Sequence, residues 1–300
     1  MYLAIDIGGT KTLVALFSER GRVVKRVKFK TARGSKTFLA DLSKVLKTFV
    51  RRKVKVVVVA IPGTVQKNYT VNFGNRYWPG IDIFTPIKKL FDCPIYFEND
   101  ANLAALYEGS FHKGKTVFLT FSTGIGGGVV QGGKILPESN KFEPGHKIYT
   151  YRKKSAEWED IASARALEGI YHVDAATNLR NKAAMEDIAG RIGLGLADVV
   201  RDYKPDTVVL GGPLGKIFKR YAKYLSNFGV KIVRPKRPLE SVIYGCYIFG
   251  KNKGWFSVDT LSARTKIHFS PAAHDSDWHG WTLWFSAPNA RIRACVVQTY

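Results

Sequence analysis

The sequence has 300 residues, of which 45% are hydrophobic and 24% are charged, and its formal net charge is +23. This composition excludes a disordered chain and suffices for the core of one large domain or of two lobes. No apolar run approaches the ~20 residues that span a bilayer, and the N-terminus lacks the pattern of a signal peptide. We therefore expect a cytoplasmic protein with no membrane association.

The three cysteines, Cys93, Cys246 and Cys295, fit neither a disulfide framework nor a zinc spacing, so reduced thiols are expected. Basic residues are concentrated in residues 20–55, which contain fourteen Lys and Arg and one acid, Asp41. Such a stretch is typical of a surface that binds nucleic acid, membrane or polyphosphate, but it also occurs in proteins of a basic proteome. Neither a helix-turn-helix signature nor an Arg/aromatic stacking pattern accompanies it, so nucleic-acid binding is not expected.

The first part of the chain predicts an α/β lobe. A glycine turn separates its first two strands, β-branched residues fill a strand that ends at Pro-Gly, and apolar residues at helical spacing predict the first helix. The predicted strands are 2–8, 12–18, 22–30, 54–63 and 93–99, and the predicted helices are 36–52 and a helix from Ala101.

The second part repeats this theme, because it also opens with an apolar strand, a Gly-Thr turn and a second strand. The predicted elements are two or three strands within 116–136, helices at 156–170 and 180–202, a strand at 206–212, a helix near 214–225, a strand at 230–235 and a last helix at 238–249. The repetition predicts a fold built from two related α/β halves.

The regular alternation of strands and helices stops after about residue 252. This tail is rich in Trp and His, and its HDSDWHG segment brings together His274, Asp275, Asp277 and His279. The spacing departs from the calcium-loop pattern, so we expect no metal site there. Residues 255–300 are expected to be unnecessary for catalysis.

The DIGGTKT turn has the composition of a phosphate-binding hairpin. Gly8 and Gly9 allow a tight turn and a close approach of the backbone to a ligand. The amides of Gly9, Thr10 and Lys11 can then point at phosphate oxygens. Asp6, at the end of the preceding strand, can hold a hydrated magnesium ion. An ordinary glycine hairpin is the alternative.

Two further glycine turns follow strands. STGIGGG repeats the first turn at Thr123 and Gly124, and VVLGGPLG places Gly211 and Gly212 where a strand leads into a helix. Nucleotides commonly bind at that kind of edge. GSFHKGKT matches a phosphate loop in its letters only, because a helix precedes it and a strand follows it, the reverse of the required order.

FENDAN places Glu98, Asn99 and Asp100 between a predicted strand and a predicted helix. Asp100 is either a helix N-cap or a catalytic base held at the end of a strand. A sugar pocket favours the second role, because sugar hydroxyls both donate and accept hydrogen bonds. Such a pocket must therefore offer carboxylates and amides in a fixed array.

Six segments occur in the order found in the ROK sugar kinases of the actin/hexokinase-like ATPase superfamily, and the chain resembles that family over roughly residues 2–250. The segments are LAIDIGGTKT, AIPGTV, FENDAN, LTFSTGIGGGVV, EPGH and TVVLGG. The resemblance implies an α/β, ribonuclease H-like fold of two lobes with the site in a central cleft. It also implies transfer of the γ-phosphoryl group of ATP to a hexose hydroxyl with Mg²⁺, and a homodimer.

The resemblance also assigns roles to matching positions, with Asp100 as the base that faces the sugar hydroxyl. The implied sugar ligands are Gly63, Asn75, Asn99, Glu143, His146 and Glu159. The implied phosphate and magnesium ligands are Asp6, Gly8, Gly9, Thr10, Lys11, Thr123 and Gly124, and the implied adenosine-side glycines are Gly211 and Gly212.

Many members of this family carry a zinc-binding cysteine cluster after the GH pair, but no Cys follows EPGH here. We therefore expect no structural zinc, and His146 is expected to lack partners. The expected lobes are residues 1–112 and 113–252, with a helix at 238–250 packing back on the first lobe. Residues 253–300 form the atypical tail.

We interpret the sequence as that of an ATP- and Mg²⁺-dependent kinase that acts on glucose or on a close relative such as an N-acetylhexosamine. Two alternatives stay open, a sugar-sensing protein without turnover and a glucokinase that uses polyphosphate. The intact Asp6 and Asp100 argue against the first alternative, and Gly211 and Gly212 favour ATP over polyphosphate.

Overall fold

The computed structural model describes residues 1–65, 70–73, 78, 80–171, 181–254, 266–271, 281–287 and 290–295. Contacts divide the chain into two compact units, Met1–Lys251 and Asn252–Tyr300. None of the helices in the described ranges is long and apolar enough to cross a membrane.

The chain up to Gly254 alternates short strands and helices. Its strands are β1 Tyr2–Ile7, β2 Lys11–Phe17, β3 Val23–Lys30, β4 Val56–Ile61, β5 Gly63–Val65, β6 Thr70–Phe73, β7 Ile81–Asp82, β8 Ile95–Asn99, β9 Lys115–Phe121, β10 Ile125–Gln131, β11 Lys134–Ile135, β12 Ile148–Tyr151, β13 Lys154–Glu157, β14 Thr207–Gly211 and β15 Lys231–Val233. Its helices are α1 Ser35–Lys47, α2 Phe84–Lys88, α3 Asp100–Gly109, α4 Trp158–Ala162, α5 Ala164–Tyr171, α6 Lys182–Tyr203, α7 Gly212–Lys216, α8 Phe218–Tyr221 and α9 Ser241–Gly254.

The first large sheet has the strand order β3-β2-β1-β4-β8. β1, β2 and β3 are antiparallel neighbours, whereas β1, β4 and β8 run parallel. β4 is buried along its whole length because its sequence, VVVVAI, is apolar on both faces. One face packs on α1 and α2, with Phe38, Leu42 and Ile87 in its core.

The second large sheet has the order β11-β10-β9-β14-β15 and repeats this arrangement. β9 and β10 form an antiparallel hairpin, and β14 pairs parallel with β9 on the other side, as β4 does with β1. The internal repeat expected from the sequence is thus present in the strand order. Trp158 and helix α6 cover one face of this sheet.

Helices α3 and α9 pack against both large sheets. Leu103 of α3 and Ile243 and Cys246 of α9 cover the second face of the first sheet. Other side chains of the same two helices join the core of the second sheet. The helices cross closely, since a Cβ at Gly245 would overlap the carbonyl group of Leu103.

Two parts of the first unit differ from the predicted elements. A small sheet of order β5-β6-β7 follows β4, where no strands are predicted because the segments are short and rich in Gly, Asn and Pro. The predicted helix at 156–170 is wrong at its start, because β12 and β13 form a hairpin there. Arg152 and Lys153 turn this hairpin with φ of 49° and 66°. Near 214–225, a turn at Ile217 separates two short helices, α7 and α8.

The second unit contains three antiparallel strands, β16 Lys266–Pro271, β17 Trp281–Ala287 and β18 Ala290–Cys295, in the order β16-β17-β18. The candidate metal ligands of HDSDWHG, His274, Asp275, Asp277 and His279, lie outside the described residues.

Candidate active site

The turn between β1 and β2 presents an exposed run of backbone amides. Gly9, Thr10 and Lys11 are exposed, and the Gly8 N–H donates to Lys11 O at 3.1 Å. Within the described part of the chain, no group accepts a hydrogen bond from the N–H of Gly9 or of Thr10. These two amides are therefore available to an anion.

Asp6 lies at the carboxyl end of β1, where neighbouring strands place Ala60 and Glu98 in register with it. Its pKa is raised to about 7, chiefly because burial removes the carboxylate from water and also because Asp100 is negative, while Lys28 opposes the shift. A partly buried carboxylate that is this reluctant to ionise fits a place where a cation supplies the missing positive charge. Asp6 therefore fits the hydrated magnesium ion that the sequence predicts.

Asp100 is the first residue of α3 and not its N-cap. The cap is Asn99, which has an extended backbone and whose Oδ1 accepts from the N–H of Ala101 at 2.9 Å and of Asn102 at 3.2 Å. Of the two roles that the sequence leaves open for Asp100, that of the N-cap is therefore taken by Asn99. No described residue accepts a hydrogen bond from the Asn99 Nδ2 group, so this amide is available to a ligand.

The Asp100 carboxyl has the properties of a general base. Its pKa is raised to about 6, chiefly by burial and also by the negative charge of Glu143, while the Ala101 N–H, which donates to Oδ1 at 2.7 Å, acts in the opposite direction. The group is therefore mostly ionised at neutral pH, yet more basic than an ordinary aspartate. That combination suits proton transfer near pH 7.

A chain of hydrogen bonds links β8 to the second sheet behind Asp100. Glu98 Oε1 accepts from Asn102 Nδ2 at 3.0 Å, and Asn102 Oδ1 accepts from Ser139 Oγ at 2.6 Å. Ser139 Oγ in turn accepts from the N–H of Val129 at 2.8 Å. The roles of Asn102 and Ser139 are not predicted from the sequence, because 37 positions separate them.

His146 has a hydrogen-bond partner that the sequence did not indicate. Its Nδ1 lies 3.0 Å from Glu157 Oε2, and this hydrogen bond is the main reason that the pKa of the imidazole is raised. The missed partner comes from the β12–β13 hairpin, which returns the chain to His146. In the described residues, ligand atoms of His146, Glu157 and Glu159 lie within 4.8 Å of one another and could hold a cation. The absence of structural zinc stays a prediction.

Glu159 lies against the second glycine turn. Its Oε2 accepts from the N–H of Ile125 at 3.3 Å, and a Cβ at Gly124 or at Gly145 would crowd the same carboxylate. The glycines therefore allow Glu159 to approach the turn that contains Thr123, which is exposed. The structure thus brings the EPGH segment, Glu159 and the second turn together.

Asp100 and Gly212 line one cavity. The other lining residues include Thr120, Ser122, Pro238 and Leu239. Gly212 has φ of +69° and lies against β9, so a side chain at this position would be strained. The preceding residue, Gly211, is buried at the end of β14.

Two predicted sugar ligands, Gly63 and Asn75, form none of the contacts described above. Gly63 begins β5, which contacts β8. Asn75 lies outside the described residues.

The fold contains two related sheets, each with a glycine turn at its first hairpin, and carboxyl groups lie at the strand ends. These features define a protein of the actin/hexokinase-like fold. The family model of the ROK family matches residues 2–238, and the chain belongs to the ROK family.

The chain is similar to named members of that family. It is 26% identical over 253 residues to a fructokinase of Lactococcus lactis subsp. cremoris, covering 76% of this chain and 86% of the relative. A Streptomyces griseus ROK family glucokinase, solved with glucose and AMPPNP, has a TM-score of 0.64 at 20% identity, with 84% and 98% of the two chains covered. A ROK family transcriptional regulator, a homolog of the E. coli MLC protein, has a TM-score of 0.71 at 17% identity, with 84% and 78% covered. The two structures show the shared fold.

Proposed function

We propose that the protein transfers the γ-phosphoryl group of ATP to a hydroxyl of a hexose, glucose or a close relative such as an N-acetylhexosamine. The observation that carries this proposal is the Asp100 carboxyl, held at the start of α3 with a pKa of about 6 in a cavity that Gly212 also lines. The similarity to a fructokinase supports a sugar as the acceptor.

Asp100 accepts the proton of the attacking hydroxyl as that oxygen bonds to the γ-phosphorus in an in-line displacement. The bond from this phosphorus to the bridging oxygen breaks, and ADP leaves. The amides of Gly9, Thr10 and Lys11 hold the phosphate oxygens, with the turn at Thr123 and Gly124 beside them. Asp6 would hold a hydrated magnesium ion, which would supply positive charge to the phosphate oxygens.

The sugar is held by groups that surround Asp100. The free Nδ2 of Asn99 donates to one hydroxyl, and Glu143 and Glu159 accept from others. His146 offers Nε2, because Glu157 engages its Nδ1. Gly63 and Asn75 complete the proposed pocket.

Replacing Asp100 with Asn tests the proposal. The fold should survive because Asn99 caps the helix, whereas kcat should fall roughly 10²–10⁴-fold because a positioned base is lost. Asp92→Asn, a change at an exposed aspartate paired with Lys88, is the matched control. Initial rates on a panel of hexoses and ATP binding are measured on the same samples as thermal unfolding.

Near wild-type turnover of the folded Asp100→Asn protein on its best sugar would overturn the proposed mechanism. A wild-type protein that binds sugar but phosphorylates none of the panel would favour the sugar-sensing alternative, in which the family fold acts as a regulator.

Polyphosphate is a second candidate donor, and the surface charge of β3 favours it. Lys28 lies opposite Leu13, which lies opposite Asp6, so Lys28 shares the Asp6 face of the sheet. Lys30 lies opposite Lys11 on the same face. Both β3 lysines are exposed, and neither forms a salt bridge with a described residue, although the charge of Lys28 acts on Asp6. A row of ammonium groups that continues from the phosphate turn suits an extended polyanion.

This candidate is tested with glucose and long-chain polyphosphate in place of ATP. The double variant Lys28→Gln, Lys30→Gln should raise the KM for polyphosphate and weaken its salt dependence more than it affects ATP. Lys44→Gln, Lys47→Gln on α1 is the charge-matched control. No turnover of polyphosphate by the wild-type protein would exclude this donor and leave the ATP proposal intact.

A further inference from the structure

Thr31 is a buried polar residue directly after β3, with 8% of its surface exposed. All of its hydrogen bonds lead to the DIGGTKT turn. Its N–H donates to Thr10 O at 3.0 Å, its Oγ1 donates to Gly8 O at 2.8 Å, and the same Oγ1 lies 2.9 Å from Thr12 Oγ1. Thr31, which lies outside the turn, therefore contacts three alternate residues of it, Gly8 and Thr12 through its side chain and Thr10 through its backbone.

The directions of these bonds follow from the number of protons. A hydroxyl has one proton, and that of Thr31 is used on Gly8 O. Thr12, which is fully buried, must therefore donate to Thr31. The two hydroxyls form a short chain that ends on the carbonyl group of Gly8, and neither is left without a partner.

These bonds also determine where the turn amides point. Across a trans peptide, the C=O of one residue and the N–H of the next point in opposite directions. Because the carbonyls of Gly8 and Thr10 point to Thr31, the N–H groups of Gly9 and Lys11 point away from it. Gly9 and Lys11 are exposed residues, so a ligand can approach these amides from the side opposite Thr31.

We infer that Thr31 is a positioning residue for the donor nucleotide, aiming the Gly9 and Lys11 amides at its phosphates without touching it. This inference rests on the proposed function, since it takes the turn as the phosphate site. Pre-aimed amides bind phosphate more tightly because no conformational freedom of the glycine-rich turn is lost on binding.

A graded series of variants tests this role. Thr31→Val keeps the β-branched shape and the bond from the backbone N–H but removes the hydroxyl, Thr31→Cys leaves a weaker donor, and Thr31→Ser keeps the hydroxyl. Affinity for a non-hydrolysable ATP analogue, measured by calorimetry without turnover, should fall about three- to tenfold in the Val variant, the size of one or two lost hydrogen bonds. It should be intermediate for Cys and recover in Ser.

The hexose affinity of the same variants separates positioning from general damage. It should stay within about twofold of wild type, since one hydrogen bond corresponds to a larger change than that. Thr48→Val is the matched control, because the Thr48 hydroxyl also donates to a carbonyl, that of Val45, away from the turn. It should leave the affinity for the ATP analogue unchanged.

Unchanged affinity in Thr31→Val would overturn the inference, as would a parallel loss of hexose affinity or a Ser variant as weak as Val. If the Val variant does not fold, the comparison of Cys with Ser decides, and equal affinity of those two would overturn it. A wild-type protein that does not bind the ATP analogue would instead refute the proposed function.

Discussion

Asp6 and Asp100 carry carboxyls with pKa values of about 7 and about 6, well above the 3.8 of an ordinary aspartate. Protonated Asp100 cannot accept a proton, so kcat/KM should fall about tenfold per pH unit below pH 6. Magnesium favours ionised Asp6 and lowers its pKa, so the acid limb should lie near pH 7 at limiting Mg²⁺ and move towards pH 6 at saturation. Rates from pH 4.5 to 8.5 at two Mg²⁺ concentrations measure this. An acid limb that does not move would exclude Asp6 from the magnesium site.

His146 is the second residue whose environment leads to a prediction. No cysteine lies near it in the sequence, and Glu157 already binds its Nδ1. We expect the purified protein to contain far less than one zinc per chain and to unfold at the same temperature after treatment with a chelator. Stoichiometric zinc whose removal unfolds the protein would contradict this, because structural zinc supplies folding energy directly.

At the scale of elements, helix α3 connects Asp100 to the segment that precedes α9. Asp100 begins it, and Glu108, which is fully buried near its end, accepts from the N–H of Lys236 at 2.7 Å, the N–H of Arg237 at 3.1 Å and Ser241 Oγ at 2.6 Å. The buried carboxylate thus fixes the segment that leads into α9. That segment contains Pro238 and Leu239, which line the cavity beside Asp100.

Glu108→Leu should therefore destabilise the protein by about 2–4 kcal/mol, because it leaves two amides without their acceptor. Ser241 Oγ can still donate to Arg237 O, which lies 2.7 Å away. It should also raise the KM for ATP, since the cavity wall loses its anchor. Urea denaturation and initial rates measure the two effects. Glu186→Leu on α6, where the carboxylate pairs with Lys182 on the surface, should cost less than about 1 kcal/mol. Equal losses in both variants would show that Glu108 has no special role.

At the scale of the whole molecule, contacts separate Met1–Lys251 from the rest of the chain, and the family model ends at residue 238. We predict that a chain ending at Lys253 stays soluble and phosphorylates hexose at the full-length rate, because the α9 side chains in the core lie before that point. Sedimentation and kinetic comparison with the full chain check this. Aggregation of the shortened chain would indicate that the tail covers an apolar surface.

The sequence by itself determined the features that depend on near neighbours. β4 follows from its unbroken β-branched run, the two hairpin turns from their glycines, and the place of Asp100 from the FENDAN segment between a strand and a helix. The order of these segments also determined the family. Prediction from local sequence was wrong where pairing with a distant strand outweighed the helix propensity of a segment. Ala156 and Glu157 suit a helix, yet pairing with β12 makes them a strand.

Only the tertiary structure decided which distant side chains meet. Glu108 and Arg237 are 129 positions apart, and Thr31 is 23 positions from Gly8. Their contacts depend on strand order and on the crossing of α3 and α9, which no local pattern encodes. The raised pKa of Asp6 likewise exists only because folding buries it and brings Asp100 near. The residue types of the site can therefore be predicted from the sequence, whereas their hydrogen bonds and electrostatics arise from the fold.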